Sequence, residues 1–294
     1  MRLLAALVAA LACALLPAPS AAAWPDTGPG VAAGGARWLG PKPRPGPRRV
    51  VSLAPSATDL AIALGQAGRL VGVTRYDDAP EVAKLPRVGG FLDPSPEAVL
   101  ALRPDLVLWV TDGGALASVQ RIAALGVPVL ALPVVSVEDV LAAARLIGDA
   151  LGDRAGGERL AGSLSAAVSR TQARAAGLPR PRVLFVVGRE PLVVAGPGSY
   201  PDELLRLAGA RNVAGGQRPW PIYPLEKAVA DDPDVVVDAA RLEHGGGAGR
   251  LETIPAARRG HLVKLEDDDA LRPGPRMVRA LDKLFAVLHP EARR

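Results

Sequence analysis

One stretch of the chain is repeated in register in its second half. Residues 97–108 (EAVLALRPDLVL) align without a gap with residues 226–237 (EKAVADDPDVVV), so that a Glu, a Pro and an Asp fall in the same places. A weaker repeat pairs residues 59–65 with residues 202–209 and comes first in each half. Repeats of this kind indicate two structural units of one design.

Short apolar runs alternate with helical periods in both halves, which is typical of parallel β-α units. The strand-like runs of the first half lie at residues 50–53, 70–73, 106–110 and 127–132. The same pattern restarts at residue 183. We therefore predict an α/β protein with two Rossmann-like lobes, one over residues 48–152 and the other over residues 179–294.

A single long helical period separates the two predicted lobes. Residues 153–178 contain no Pro, and the period closes at Gly177, followed by Pro179. A helix over residues 155–176 would be about 30 Å long. One backbone α-helix joining the lobes restricts hinge motion, so we expect a ligand cleft between the lobes that is largely formed before the ligand binds.

The amino terminus has the pattern of a secretory signal peptide. A positive charge at Arg2 precedes an apolar run over residues 3–16, and small residues follow up to Ala23. The run is shorter than the roughly 20 residues of a membrane-spanning helix. We predict a signal peptide over residues 1–23 and a periplasmic location, with lipid attachment at Cys13 as the alternative.

The segment after the signal peptide is rich in Pro and Gly. Residues 24–47 are predicted to be a stiff, solvated leader, with folding beginning at Arg48. Cys13 is the one cysteine of the sequence. Cleavage after Ala23 leaves a mature chain without cysteine, which excludes disulfides and thiolate catalysis.

Charge and motif patterns exclude several classes of function. The formal charge of +5 comes largely from basic residues in the leader and at the carboxy terminus, so nucleic-acid binding is not expected. The loop at His244 lacks the accompanying G-x-S-x-G elbow of an esterase, and the three histidines lie far apart. The acidic run 266–269 could hold a cation, although such runs are usually solvated loops. We predict neither an enzyme nor a dedicated metal site.

Several segments together resemble the substrate-binding proteins of ABC importers for cobalamin, haem and ferric siderophores. They are residues 49–59, 71–74, 95–108 and 272–277. Residues 218–221 (RPWP) and the pair Asp268 and Arg272 are most similar to the cobalamin binders. The resemblance implies a monomeric periplasmic protein that captures a cobalamin-like corrinoid as transported ligand. It implies delivery of that ligand to the permease dimer of an ABC importer in the inner membrane, without a cofactor of its own.

The resemblance also implies which residues face the ligand. Tyr76 matches a tyrosine of the first lobe that lies against the corrin, and Trp220 matches the aromatic wall of the second lobe. Phe91 matches a position at which cobalamin binders carry a Trp. Asp268 and Arg272 match a polar pair that meets the amide side groups of the corrin.

The scarcity of aromatic residues supports part of this set independently. The chain contains four Trp, three Tyr and three Phe. Four of these rings, Tyr76, Phe91, Trp109 and Trp220, lie at or just past predicted strand ends, where α/β sheets place their ligands. Aromatic side chains offer large apolar planes to a flat macrocycle. Trp109 ends a strand, so its alternative role is to fill the core.

Glu97 and Glu226 occupy equivalent places in the repeat. Each can be explained as a negative charge in the first turn of a helix, with Ser95 as the cap of the first one. The alternative is that the two carboxylates, one on each lobe, dock onto a two-fold permease. The resemblance implies this docking role.

Haem and a ferric siderophore remain alternative cargoes within the same family. Tyr76 could ligate haem iron, because tyrosine serves as an axial ligand. A siderophore calls for several Arg or Lys side chains in the cleft. An exported α/β enzyme is the alternative from another class, since a fold alone does not fix a function.

Overall fold

The computed structural model describes residues 37–240 and 248–293, which contain two five-stranded sheets. The first sheet has the order β1-β5-β4-β2-β3, in which β1 is antiparallel to β5 and the other pairs are parallel. Its strands are β1 (Arg37–Leu39), β2 (Val50–Ser52), β3 (Leu70–Gly72), β4 (Leu106–Val110) and β5 (Val129–Leu132). Its helices are α1 (Pro55–Ala63), α2 (Pro96–Ala101), α3 (Leu116–Ala124) and α4 (Val137–Ala150).

The second sheet repeats this design. Its strands are β6 (Arg182–Arg189), β7 (Leu192–Val194), β8 (Arg211–Asn212), β9 (Val235–Asp238) and β10 (Leu262–Lys264). Its helices are α6 (Tyr200–Leu207), α7 (Leu225–Asp231), α8 (Ala248–Leu251), α9 (Pro255–Arg258) and α10 (Met277–Leu288). The parallel strands have the order β8-β6-β9-β10, which matches β3-β2-β4-β5 of the first lobe. The prediction of two α/β lobes is confirmed.

The repeated Asp has the same structural task in both lobes. The Asp105 carboxylate accepts the backbone N–H groups of Arg48 and Arg49 at 2.9 Å each. The Asp234 carboxylate accepts the Arg182 N–H at 2.6 Å. Each Asp therefore anchors the start of its own strand to the start of the first parallel strand of the lobe.

A repeated arginine caps the helix that precedes this Asp. The Arg49 guanidinium donates to carbonyls at the end of α2, and the Arg182 guanidinium donates to carbonyls at the end of α7. Arg103 and Asp232, the residues before the repeated Pro, both have a positive φ, of 47° and 37°. The sequence repeat thus records one helix-to-strand turn that is used twice.

Two helices carry the chain from the first sheet to the second. They are α4 and α5 (Arg154–Ala175), and α5 has 22 residues, close to the predicted 155–176. The helices approach closely, because a Cβ at Gly148 would lie 2.7 Å from the Gly157 Cα. Helix α4 packs on α1, whereas α5 packs on α6 and α10. One apolar core continues from the first sheet through these helices into the second.

The predicted start of the fold at Arg48 is wrong. Residues 37–39 of the supposed leader form β1, which adds an antiparallel edge strand to β5, and Trp38 packs against the core. The signal peptide, Cys13 and the His244 loop lie outside the described residues. Within 37–240 and 248–293, no helix is both long and apolar enough to cross a bilayer.

Candidate functional site

Large apolar side chains are exposed in loops near the carboxyl ends of the parallel strands. Tyr76 follows β3 and is 52% exposed, and Leu92, in the loop before α2, is 68% exposed. In the second lobe, Trp220 and Ile222 lie in the segment between β8 and α7 and are 48% and 60% exposed. Exposed rings at such strand ends are typical of a ligand site rather than of core packing.

An arginine fixes the wall of the first lobe. The Arg75 guanidinium donates to both carboxylate oxygens of Asp93, at 3.1 and 2.8 Å, and to the Tyr76 hydroxyl at 3.3 Å. It also lies 4.9 Å from the centre of the Tyr76 ring. The Arg75 guanidinium lowers the pKa of the Asp93 carboxyl. Arg75 therefore joins Tyr76 to the loop that carries Phe91, whose ring is half-buried against the core.

Backbone hydrogen bonds hold the wall of the second lobe. The Gly196 N–H donates to the Pro219 carbonyl at 2.8 Å, and the Tyr223 N–H donates to the Leu192 carbonyl at 2.8 Å. The segment that contains Trp220 consequently runs along β7 with its backbone fixed on both sides of the ring. Trp220 is thus presented by a rigid support, although its own side chain is half exposed.

Asp268 and Arg272 belong to an ion-pair cluster that joins the two lobes. Arg272 lies 2.5 Å from Asp268 and 3.0 Å from Asp78. Arg276 lies 2.5 Å from Asp78 and 2.8 Å from Asp59. Asp59 and Asp78 come from the first lobe and the other three residues from the second, and we call these five residues the interlobe clamp.

The sequence interpretation singled out only two members of the clamp. Asp59, Asp78 and Arg276 were missed as site residues, although the spacing of four between Asp268, Arg272 and Arg276 could have pointed to one helical face. Asp78 lies two residues after Tyr76. The clamp therefore connects the loop of the first-lobe aromatic ring directly to the second lobe.

The remaining predicted residues occupy distinct places. Glu97 and Glu226 lie in the first turns of α2 and α7, and both side chains are exposed. The Ser95 hydroxyl caps α2 by accepting the Ala98 N–H at 3.1 Å. Trp109 is fully buried in β4 and belongs to the core.

The acidic run 266–269 is paired rather than open to a cation. Asp269 lies 2.8 Å from Arg279, and Asp267 pairs with Lys283 on the same helix α10. In the described part of the chain, no group of three or more His, Cys, Asp or Glu side chains is placed to hold a metal ion.

Two repeated α/β lobes with exposed rings at their strand ends define a two-lobed ligand-binding protein. The sequence profile of the periplasmic binding protein family matches residues 50–268, and the chain belongs to this family. A vitamin B12-binding protein of Salmonella paratyphi A is 29% identical over 246 residues, which cover 82% of this chain and 90% of that protein.

Solved structures support the same assignment. The periplasmic haem-binding protein RhuT of Roseiflexus sp. RS-1, in its apo form, has a TM-score of 0.77 and 30% identity, and the match covers 83% of this chain and 99% of that one. The periplasmic vitamin B12-binding protein BtuF of Vibrio cholerae has a TM-score of 0.74 at 22% identity and covers 85% and 100% of the two chains, which shows a common fold.

The comparisons confirm the predicted family and its class of activity. Family members are substrate-binding proteins of ABC importers that bind small molecules, and they are not enzymes. The relatives are named for vitamin B12 or for haem, so the class of cargo is a bulky tetrapyrrole-type ligand in both cases.

Proposed function

We propose that this protein captures a cobalamin-like corrinoid between its lobes in the periplasm and delivers it to an ABC importer of the inner membrane. One observation carries the proposal: each lobe presents an exposed aromatic ring, Tyr76 and Trp220, near its strand ends. The names of the vitamin B12-binding relatives and the RPWP segment around Trp220 favour a corrinoid among the family's cargoes.

The physical basis is the match between rigid rings and a flat, bulky guest. Each aromatic side chain can bury about 150–250 Å² at a small cost in conformational entropy. Phe91 adds a third ring next to Tyr76, and the hydrogen bonds around Trp220 hold its backbone in place. A cleft prepared in this way loses little free energy to ordering when the ligand binds.

The clamp changes the role that we assign to Asp268 and Arg272. Both side chains already have charged partners in this structure. They can still offer hydrogen bonds to the amide groups of a corrin, because a guanidinium carries five N–H donors. Their first task, however, is to set the separation of the two lobes.

Haem is the second candidate cargo, and the position of Arg75 favours it. The Arg75 guanidinium donates to the Tyr76 hydroxyl at 3.3 Å. A cation in this place stabilises a phenolate, the form in which tyrosine ligates haem iron. A ferric siderophore has no comparable support, since Arg272 and Arg276 are paired with aspartates.

Absorbance titrations of the purified protein with cyanocobalamin and with haem test the proposal. We expect saturable corrinoid binding at micromolar concentration or below, and its loss would remove the proposed cargo. Trp220→Ala should weaken binding by about 1–3 kcal/mol. Leu125→Ala is the matched control, because Leu125 is exposed at the end of α3, away from the strand carboxyl ends.

Tyr76→Phe separates the two cargoes. The substitution keeps the ring and removes the hydroxyl, so corrinoid affinity should remain nearly unchanged. Haem coordination through this oxygen would be lost, with a shift in the visible absorption bands of the bound haem. A strong effect of Tyr76→Phe together with tight haem binding would favour haem over the corrinoid.

We further propose that Glu97 and Glu226 dock onto basic residues of the permease dimer, one carboxylate for each subunit. Their equivalent positions in the two lobes fit a two-fold partner. The receptor acts as a monomer after removal of its signal peptide at Ala23, or remains tethered through a lipid at Cys13. Charge reversal at both glutamates should abolish transport while the affinity for the ligand stays unchanged.

A further inference from the structure

The surroundings of the two exposed glutamates differ, although their positions in the repeat are equivalent. Glu97 lies 3.2 Å from Arg121 of α3, and both side chains are about two-thirds exposed, at 68% and 66%. Glu226 forms no ion pair with any residue of 37–240 or 248–293. A partner approaching Glu97 must therefore displace Arg121, whereas a partner approaching Glu226 meets a free carboxylate.

Glu226 also lies at the rim of a cavity of about 240 Å³. Apolar side chains form much of its wall, among them Leu192, Ile222, Leu225 and Leu251. Ile222 is 60% exposed at the opening. A cavity of this size and lining accommodates the aliphatic stem of one long side chain.

The charges around the cavity select the sign of the occupant. Arg189, in the wall, is buried and lies 2.8 Å from the fully buried Asp238, so this pair is neutral. Arg250 at the rim lies 3.5 Å from Glu190. Among the charged groups that the structure describes here, only Glu226 lacks an ion-pair partner, which leaves the cavity with a net negative charge.

We propose that this cavity, the Glu226 pocket, receives a basic side chain of the permease and is the principal anchor of the docked complex, with Glu97 as a weaker second contact. The stem of the Arg or Lys lies against the apolar wall, and its charged head meets the Glu226 carboxylate. The inference rests on the proposed function, because it names the partner chemistry of the same docking surface.

The test measures binding of the full mature protein to the cell's own importer for the cargo identified above, reconstituted in lipid nanodiscs. We expect Glu226→Gln to weaken docking about tenfold or more and Glu97→Gln by less than about threefold. Ile222→Ala should also weaken docking, whereas Leu125→Ala, at an exposed apolar residue elsewhere, should not. Cargo affinity and melting temperature serve as controls of folding for every variant.

A second comparison uses the partner of Glu97. In an Arg121→Gln background Glu97 is released, so Glu97→Gln should then weaken docking more than it does in the native protein. Equal losses for Glu97→Gln and Glu226→Gln in the native background would overturn the proposed asymmetry. A fall in cargo affinity for Ile222→Ala would assign the pocket to the cargo instead of the permease.

The proposed function fails separately from this inference. If the native protein binds its cargo but not the importer, delivery is refuted and the docking assignment falls with it. If the native protein docks normally and only the ranking of the two glutamates is reversed, delivery stands and the Glu226 pocket is not the anchor.

Discussion

Arg276→Gln should loosen the interlobe clamp and lower the stability of the whole protein. Arg276 is 17% exposed and lies 2.8 Å from Asp59, which is 9% exposed. Breaking a buried pair by removing one partner costs about 3–5 kcal/mol. We expect the lower value, about 3 kcal/mol, because Arg272 remains 3.6 Å from Asp59. Asp78 adds little, since 54% of its side chain is exposed.

A loss of this size is measurable by thermal unfolding followed by circular dichroism. For a chain of this length, about 3 kcal/mol corresponds to a fall in melting temperature of roughly 6–12 °C. The matched control is Arg279→Gln: Arg279 is 63% exposed, and its partner Asp269 keeps Lys283 at 3.2 Å. We expect this control to cost less than about 1 kcal/mol.

A double variant identifies the cause of the loss. Asp59→Asn combined with Arg276→Gln removes the orphaned carboxylate, so the double variant should recover part of the stability that Arg276→Gln alone loses. The reasoning is refuted if Arg276→Gln melts within about 2 °C of Arg279→Gln. Weaker cargo binding in Arg276→Gln would show in addition that the clamp sets the width of the cleft.

Three further predictions concern the clamp, the helix pair and the edge strand. The hydrogen bond from Arg276 lowers the pKa of Asp78, so its stabilisation is present above the ordinary value of 3.8 and is lost on acidification below it; Asp78→Asn should flatten this acid loss in melting curves. Gly148→Ala should destabilise by about 1–3 kcal/mol in urea unfolding, because its Cβ meets the backbone of α5, whereas the open site Gly162 should tolerate Ala with a small gain. Trp38→Ala should lower the melting temperature by several degrees if β1 belongs to the fold, and an unchanged value would restore residues 24–47 to the role of a solvated leader.

The sequence predicted those parts of the fold that depend on local pattern. The run 106–110 and β4 coincide, and the predicted helix 155–176 differs from α5 by one residue at each end. Strand β1 was missed because a three-residue antiparallel edge strand is specified by its distant partner β5 and not by its own Pro- and Gly-rich surroundings.

The same distinction applies to the candidate site. The exposed rings of Tyr76 and Trp220 were recognisable from their positions after strand-like runs. The clamp was not, because Asp78 and Arg276 lie 198 residues apart and no periodic pattern links them. Long-range ion pairs depend on how two finished lobes are set against each other, and a single sequence records that arrangement only as scattered charges.

Comparing two ion pairs near the cleft indicates how a bulky ligand can enter. The Arg75–Asp93 pair is 46% and 64% exposed, and such a surface pair contributes about 0–1 kcal/mol. The Arg276–Asp59 pair is far more buried, and separating the lobes would break it and strain the close packing of α4 on α5. The ligand therefore gains access at lower cost by moving Arg75 and the Tyr76 side chain than by opening the lobes. On this argument, Asp93→Asn should change the rate of ligand association more than the rate of dissociation, whereas Arg276→Gln should change both.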